Sequence, residues 1–550
     1  MAAHSSRRER TVVSVSYKGQ VFRIPLGTRG MMPDEVQTRV PFDALLEARN
    51  ITYVNGLLEK EPGSIRWNAS ALGNSIVALS DFWPDDVTQR VCALTADGVL
   101  HKFIDLKQSV VLGPETAVDT QAIILATNKP PCFVTGGAEN GDNRKLFLFT
   151  GTTQVQVIDG NATARRDMTK PALDWADGSF PTAGCIHAGK LAAWGNKNFP
   201  HQLYLSNSID HEDFQTAGAV TFFPVFPGEG ERILGCYNYK GRLFIFKFPY
   251  GVYYLDDSDP SVTNWSIHKL SGVFGAASAF SFVEGLDDLY VANAQGSVTQ
   301  MSATLNFGSM QTGNIMRNLR NESYMRSHTA RFGYLKRYGL WYEDKKIAYF
   351  TYQSSGGIHN DLMLVIDFND PATPKISWSD KDQPNCLTLV KDPLGIPRPF
   401  YGSSDGYIYR MDRPTWDVAG QAYTGEFKTV NLDFGSADPG LAEREKIYDF
   451  LEVTFEEAGE WDLSIDVYID NYFSETLSVL MTKKEYLSNF PLGPTGLNQA
   501  LGRAPQSYRV PLHGKGRRIA FKCYNSGLYQ DFRISELGIY FRPAGQAQEG

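Results

Sequence analysis

A short pattern recurs along the middle of the chain and constrains its fold more than any other feature. A turn residue and a charged or polar residue precede a short apolar run, and the instances begin at Asp97, Asn143, Gly189, Gly241, Asp287, Asp344 and Asp405. Their spacing of roughly 40 to 60 residues is the blade period of a β-propeller. In most units a second apolar run follows at hairpin distance, beginning at Gln202, Gly251, Ser297 and Leu362. The pattern predicts a propeller of about six or seven blades over residues 46–415, with the first and last strands completing one blade together.

The composition of these runs agrees with blades that are covered on both sides. Leu243, Phe244, Ile245 and Phe246 are consecutive and apolar, so both faces of that strand are apolar. A strand packed between two neighbouring sheets needs this pattern. Helical periodicity is missing from the region, which excludes a βαβ architecture.

The pattern changes after Arg410, and residues 422–543 predict a second all-β domain. Apolar residues from Trp461 to Ile469 alternate with polar ones, and Ile519, Phe521 and Cys523 alternate in the same way. One face of each strand is therefore expected to be buried and the other exposed to water. Strands of this kind, separated by Gly, Asn and Pro turns, predict a β-sandwich. The tail, residues 544–550, is predicted to be disordered.

The start of the chain predicts an extended arm over residues 1–45, because its Gly and Pro content opposes regular structure; such arms usually dock onto something else. The segment 41–50, PFDALLEARN, predicts two turns of helix with Asp43 as the N-cap. Asn55 and Gly56 then separate two short apolar runs, and both residue types tolerate the positive φ of a type I′ turn. We therefore predict a hairpin at this point.

Charge and cysteine usage limit the classes of partner. The formal net charge is −8 and the pI is near 5.7, so no sequence-wide basic field holds a nucleic acid. A protein that grips DNA is disfavoured, whereas one that lets DNA slide past is not. The six cysteines are scattered singly, which favours buried thiols over disulfides or a metal site. No apolar run predicts a signal peptide or membrane anchor.

The sequence offers no strong motif for catalysis, cofactors or metals. The glycine spacing of Gly228–Gly235 is wrong for a dinucleotide fingerprint, and no Walker loop is present. His201 and His211 are interpreted as loop histidines rather than zinc ligands. The turn DDSDPS from Asp256 lacks the glycine and glutamate of a calcium loop. We therefore assign no catalytic, cofactor-binding or metal-binding residue, and predict no enzyme activity and no cofactor.

Three further features of the sequence bear on function. Trp194, Trp341 and Tyr342 are able to stack on sugars, but filling the space between blades is the more common role of such residues. The basic run from Lys515 to Arg518 is short and isolated, which favours a solvated face or an ion pair over a nucleic-acid patch. The turn at Ser403 partly matches the aspartate box of sialidase propellers, without its Trp.

Short phrases near both ends of the chain resemble the hub or nozzle proteins of short-tailed bacteriophages. At the N-terminal side these are PLGTRGMMP from Pro25 and LLEARNITYVNGLLEKEPGS from Leu45 to Ser64. At the C-terminal side the phrases are EFKTVNLDFG, WDLSIDVYID and GKGRRIAFKCYN. In that family a propeller with an attached sandwich forms part of the tail.

The resemblance implies a structural virion protein that is assembled in the host cytoplasm. Its implied partners are copies of itself in a hexameric ring, an adaptor, a tail fibre, and DNA that passes through without specific binding. No functional residue is carried over, because such proteins act through assembly. Two alternatives stay open: a propeller that hydrolyses glycans, and a propeller that binds glycans or recognises the host. The hydrolase would need paired carboxylates and an arginine cluster at the propeller axis.

Overall fold

The computed structural model describes residues 20–33, 40–103, 109–111, 113–114, 123–126, 129–137, 144–160, 162, 164–216, 220–272, 274–301, 313–330, 336–357, 359–481 and 506–544. The chain forms two compact units, which we name for their folds. The propeller unit consists of Gly63–Asn369 and Asp382–Arg413, and the sandwich unit of Met1–Pro62, Asp370–Lys381 and Pro414–Gly550.

In the described residues, the propeller unit contains seven groups of mainly antiparallel strands, which we number as blades 1 to 7. Blade 1 is β6 (Ile76–Phe82), β7 (Arg90–Thr95), β8 (Leu100–Phe103) and β9 (Ser109–Val111). Blade 2 is β11 (Cys132–Gly136), β12 (Lys145–Phe149), β13 (Gln156–Asp159) and β14 (Ala164–Asp167), with β10 (Gly113–Pro114) parallel to β14. Blade 3 is β15 (Ala183–His187), β16 (Lys190–Trp194), β17 (Gln202–Leu205) and β18 (Val220–Pro224).

The remaining blades follow in chain order. Blade 4 is β19 (Arg232–Tyr239), β20 (Arg242–Phe248), β21 (Val252–Asp256) and β22 (Ser266–Ser271). Blade 5 is β23 (Phe282–Gly285), β24 (Asp288–Ala292), β25 (Val298–Met301) and β26 (Gly313–Asn314). Blade 6 contains β27 (Gly339–Tyr342), β28 (Ile347–Tyr352) and β29 (Leu362–Asp367). Two short helices, α1 (Ile315–Asn318) and α2 (Glu322–His328), lie between blades 5 and 6.

Blade 7 closes the ring with strands from both ends of the propeller region, as the sequence predicts. It consists of β31 (Cys386–Lys391), β32 (Pro397–Gly402), β33 (Ile408–Arg413) and β5 (Gly63–Arg66), and β5 pairs with β33. The innermost strand β31 also packs against β6 of blade 1. Each of the seven predicted sequence instances lies on a strand of a different blade. The prediction of an all-β propeller is confirmed, and the described residues form seven blades.

The apolar residues of one strand belong to two different cores, which explains why both of its faces are apolar. Leu243 and Ile245 on β20 pack in the core shared with blades 2 and 3. Phe244 and Phe246 point to the opposite face and pack with Phe282 of blade 5. Successive side chains of a strand alternate between faces, so a blade inside the ring buries both sets.

The sandwich unit consists of two sheets built from three chain segments. The first sheet has the order β3 (Ile51–Val54), β4 (Leu57–Lys60), β40 (Arg533–Pro543), β35 (Lys446–Phe455) and β38 (Gln506–Gly516), and β1 (Gln20–Pro25) pairs with β40. The second has the order β30 (Lys375–Ser379), β2 (Leu45–Arg49), β34 (Gly425–Thr429), β39 (Ile519–Asn525), β36 (Asp462–Ile469) and β37 (Tyr472–Leu480). Short 3₁₀ turns elsewhere in the chain span Val262–Asn264, Glu343–Lys345 and Pro439–Leu441.

The alternating pattern predicted for the C-terminal region corresponds to the buried faces of these sheets. Leu463, Ile465 and Val467 on β36 are fully buried, as are Ile519 and Phe521 on β39. Rings of the two sheets and their connections meet in the core, for example in the pair Phe434 and Phe541. The predicted sandwich is confirmed.

The N-terminal segment differs from the expectation at one point. A helix was predicted over residues 41–50, but Leu45–Arg49 is strand β2, which pairs with β34. Leu45 and Ala48 are buried by this pairing. The helix prediction is wrong because pairing with a strand far along the chain overrides local helix propensity.

The predicted domain boundaries also differ from the boundaries of the two compact units. The propeller was expected to begin at residue 46, yet the hairpin of β3 and β4 pairs with β40 and belongs to the sandwich unit. The predicted arm is extended over Gln20–Pro25, where it pairs with β40 of its own chain. Residues 1–19 of the arm and 545–550 of the tail lie outside the described residues. Within the described part of the chain, helices are all too short to cross a membrane.

Candidate functional site: the axial cavity of the propeller

A cavity of the propeller unit lies where the chain enters the innermost strands of several blades. It has a volume of about 520 Å³. Ser75 directly precedes β6, Pro131 precedes β11, and Asn385 precedes β31, and all three line it. The innermost strands of a propeller surround its axis, so residues at their starts converge at one end of the axis. The cavity is therefore an axial one, and it falls in the size range of small-molecule sites.

A smaller cavity lies beside this one and shares part of its wall. Its volume is about 40 Å³, and residues that lead into blades 3 and 5, Thr182 and Ser278, line it. Arg232, the first residue of β19, lines it as well. Lys129 and Pro130 line both cavities. We describe the two cavities together as the axial site, whose walls include residues from all seven blades.

Hydrogen bonds fix the polar wall of the larger cavity. The Asn385 side chain donates to the Ser75 hydroxyl at 2.8 Å, and the Asn74 side-chain oxygen accepts from the Ser75 amide at 2.8 Å. The Asn360 side chain, which also lines the cavity, donates to the Lys336 carbonyl at 2.8 Å. Val77, Leu125 and the prolines supply the apolar part of the wall. The site therefore combines amide and hydroxyl groups with an apolar surface.

Three basic side chains converge on this end of the axis. Lys129 and Lys336 line the larger cavity, and Lys129 and Arg232 line the smaller one. None of the three forms a salt bridge with any residue that the structure describes. Burial lowers the pKa of Lys129, and repulsion by Arg232 and Lys197 lowers it further. Burial is the larger cause, and the added repulsion shows that neighbouring cations contribute a positive potential at Lys129.

Carboxylates do not line this site within the described ranges. The residues around both cavities include Lys, Arg, His and Asn side chains but neither Asp nor Glu. A retaining or inverting glycosidase mechanism requires a pair of carboxylic acids that flank the substrate. These lining residues do not provide such a pair.

The residues considered in the sequence for metal binding lie in structural positions. His211 is within 3.0 Å of the Gly189 carbonyl oxygen, and burial lowers the pKa of both His201 and His211. Asp256 and Asp259 accept hydrogen bonds within their own turn, and Asp257 pairs with His187 at 3.0 Å. Across the described residues, no group of three or more His, Cys, Asp or Glu side chains is arranged to hold a metal ion.

The aromatic residues considered for sugar stacking lie between blades. Trp194 is buried, and its indole N–H donates to the Leu234 carbonyl of the next blade at 3.3 Å. Tyr342 of blade 6 donates to Asp412 of blade 7 at 3.0 Å and accepts from Arg398 at 2.8 Å. Both contacts join neighbouring blades, and neither residue lines the axial cavities.

The basic run near residue 515 is paired with acidic residues of the sandwich unit. Lys515 forms a 2.6 Å ion pair with Glu445, and Arg517 lies 3.9 Å from Glu443. The backbone amides of Arg517 and Arg518 both donate to Asp470. All six cysteines are free thiols, and five of them are buried.

The sandwich unit carries a second candidate surface at its edge. Strand β37 pairs with β36 and ends the described order of its sheet, and β38 ends the order of the other sheet. At the start of β37, Tyr472 is 79% exposed and Phe473 is 59% exposed. A strand edge with exposed aromatic rings is a typical place for pairing with another chain.

Comparison with known proteins gives a fold likeness only. No family model and no curated protein matches the chain. Among solved structures, a chain of the crystal structure of BBS1N in complex with ARL6DN, soaked with lead, is 9% identical, with a TM-score of 0.39. The match covers 64% of this chain and 98% of that chain. At this similarity the likeness carries no functional conclusion, and the blades and their closure rest on the strand pairing described above.

Proposed function

We propose that this chain is a structural subunit of a bacteriophage tail, of the hub or nozzle kind, that forms a closed ring around the DNA-ejection channel. The phrases that resemble this family are the origin of the proposal. In this assignment the protein resides in the virion, contacts an adaptor and a tail fibre, and acts without catalysis.

The observation that carries the proposal is the exposed edge of the sandwich unit. Tyr472 and Phe473 place two large aromatic rings in solvent beside a strand edge. Exposed aromatic residues are enriched in protein interfaces. We assign this edge to a neighbouring copy of the chain, because a head-to-tail contact repeated between identical subunits forms a ring when the rotation between neighbours closes.

Arg49 and Asn50, which belong to the N-terminal phrase that resembles the phage family, have contacts that agree with a structural function. Asn50 is 1% exposed, and its side chain donates to Asp380 and to the Thr424 carbonyl, each at 2.7 Å. The same side chain accepts from the amides of Asp380 and Lys381. Arg49 forms a 2.8 Å ion pair with Asp380. These residues therefore hold three segments of the sandwich unit together.

The charge of the chain agrees with a conduit for DNA. Its net charge of −8 gives little attraction for phosphates. Proteins bind DNA largely because basic side chains displace counterions from the phosphates. A wall with few basic side chains displaces few counterions, so the DNA passes without being bound.

Electron microscopy of the full chain, purified with its tail partners, tests the proposal. We expect rings with a central hole, and expect the double variant Tyr472→Ser, Phe473→Ser to form fewer rings while keeping its far-ultraviolet circular dichroism. Leu394→Ser is the matched control, because Leu394 is 82% exposed but belongs to the propeller unit. A chain that stays monomeric inside mature particles, or a double variant that assembles as the wild type does, contradicts the proposal.

A glycan-binding or host-recognition propeller is the second candidate, and the axial cavity favours it. Cavities of this size with amide groups and an apolar wall suit a saccharide. Antibodies against the propeller would then block adsorption to host cells. The related hydrolase is tested by a panel of glycoside substrates, in which release of product supports it and absence of turnover counts against it.

A further inference from the structure

We infer that the axial cavity is a binding site for a small organic anion that carries a phosphate or carboxylate group. The inference does not depend on ring assembly, because every residue that it uses lies in the propeller unit.

The first argument is a positive charge that no described residue of the cavity walls neutralises. Lys129 and Lys336 come from the segments that enter blades 2 and 6, and they line the same 520 Å³ cavity. Arg232 adds a third cation through the adjoining space. Repulsion among cations costs free energy, and an anion bound between them relieves it.

The second argument is the lack of an internal counterion. Elsewhere in the same unit, cations that converge are paired: Lys145 and Arg166 each form a 2.6 Å ion pair with Glu212. By contrast, the described residues of the axial site contain no carboxylate. Among the described residues, the propeller thus supplies an acid at one cluster of cations and none at the other.

The third argument is the rest of the wall, which defines the class of ligand. Asn74, Ser75 and Asn385 provide amide and hydroxyl groups that are already fixed by mutual hydrogen bonds. Leu125 and Pro130 provide an apolar patch. A volume of about 520 Å³ admits a molecule of monosaccharide size but not a folded chain or duplex DNA. An acidic sugar or a sugar phosphate has the matching groups.

Isothermal titration calorimetry on the full chain, in a low-salt buffer without phosphate, tests the inference. The probes are glucose 6-phosphate, glucuronate, inorganic phosphate and glucose. We expect glucose 6-phosphate or glucuronate to bind, inorganic phosphate to bind more weakly, and glucose not to bind. Whichever sugar acid binds more tightly identifies the phosphate or the carboxylate as the preferred group.

Variants then locate the binding site. Lys129→Gln and Lys336→Gln each remove one cation and are expected to weaken binding at least about tenfold, since each deletes a charge-assisted hydrogen bond. Lys240→Gln removes the same charge from an exposed turn of the propeller unit and serves as the control. Circular dichroism checks that each variant is folded.

Several results would overturn the inference. These are binding of none of the anionic probes, binding of glucose as tight as that of its acidic relatives, and equal weakening by Lys240→Gln and Lys129→Gln. Binding of single-stranded oligonucleotides alone would also overturn it, because the site would then serve a polymer. Ring formation in electron micrographs is measured separately, so failure here leaves the proposed tail function untouched.

Discussion

Ser64 and Asp382 are joined by a hydrogen bond of 2.5 Å at the point where the propeller ring closes. Ser64 lies on β5, the N-terminal strand of blade 7, and Asp382 lies just before β31 of the same blade. Tyr401 donates to the same carboxylate oxygen at 2.9 Å, and all three residues are buried. Strand β5 is therefore held in blade 7 by this buried hydrogen-bonded cluster as well as by its pairing with β33.

Replacing Ser64 by Ala is expected to destabilise the propeller unit by about 1–3 kcal/mol, because a buried carboxylate loses one of its donors. Thermal unfolding, followed by circular dichroism, measures the effect. Ser70→Ala is the control, since Ser70 is exposed in the same unit. Equal stability of Ser64→Ala and the wild type would show that β5 closes the ring through strand pairing alone.

Local signals in the sequence predicted the elements that depend on local physics. Asn55 and Gly56 have φ of 51° and 81°, the conformation that a type I′ turn needs and that these residue types tolerate. Consecutive apolar residues on β20 likewise predicted burial on both faces. The strand Leu45–Arg49 was missed because its pairing partner, β34, is more than 370 residues away in the chain. Local propensity carries no information about such a partner.

The axial site could not be predicted for a related reason. Lys129, Arg232 and Lys336 belong to three different blades, and each is an ordinary basic residue in its own segment. Only closure of the ring brings them to one end of the axis. A basic residue close to the start of an innermost strand is a weak signal for such a site. The sequence alone does not show which strand of a blade is innermost, so this signal is usable only once the fold is known.

The turn between β3 and β4 allows the energetic cost of a positive φ to be measured separately from side-chain contacts. Gly56 has a φ of 81°, and a Cβ added there would contact nothing within 4 Å. Gly56→Ala should therefore destabilise the sandwich unit by about 1 kcal/mol through backbone conformation alone. Gly228→Ala is the matched control, because Gly228 is equally open but has no positive φ. Chemical denaturation of both variants measures the difference, and similar losses in the two would refute the strain argument.

The buried carboxylate of Glu212 should make stability depend on pH in the acid range. Burial acts to raise the pKa of Glu212, but hydrogen bonds from Arg166, Lys145 and the Thr169 amide outweigh it and lower the pKa from 4.5 to about 2. The folded pKa lies below the unfolded value, so the stabilisation is complete above pH 4.5 and is lost as the pH falls towards 2.

Glu212→Gln is therefore expected to destabilise the propeller unit by about 3 kcal/mol at pH 7 and by less at pH 3. Denaturant unfolding of the wild type and the variant at both pH values measures this. Glu231→Gln, at an exposed position, should change stability little at either pH. A loss that is the same at pH 7 and pH 3 would show that the ion pairs of Glu212 contribute nothing to stability.

A buried lysine in the sandwich unit predicts a second pH dependence, this one in the alkaline range. Lys60 is 1% exposed, and its ammonium lies 3.4 Å from the Gly527 carbonyl oxygen and 4.4 Å from the centre of the Tyr423 ring. Burial lowers the pKa of Lys60 from 10.5 to about 8, although Asp531 opposes the shift. Below pH 8 the Lys60 ammonium is charged in both states, and the charged form is less stable in the folded protein, where it is buried, than in the unfolded chain.

Between pH 8 and 10.5 the folded state loses this proton first, so stability rises with pH in that window and the cost of the buried charge disappears above it. Lys60→Met should accordingly stabilise the unit by about 2 kcal/mol at pH 7, and the gain should shrink towards pH 10. Chemical denaturation across this pH range measures it, with the exposed Lys515→Met as control. If Lys60→Met is destabilising at pH 7, the contacts of the ammonium with Gly527 and Tyr423 outweigh its desolvation, and the charged lysine stabilises the fold.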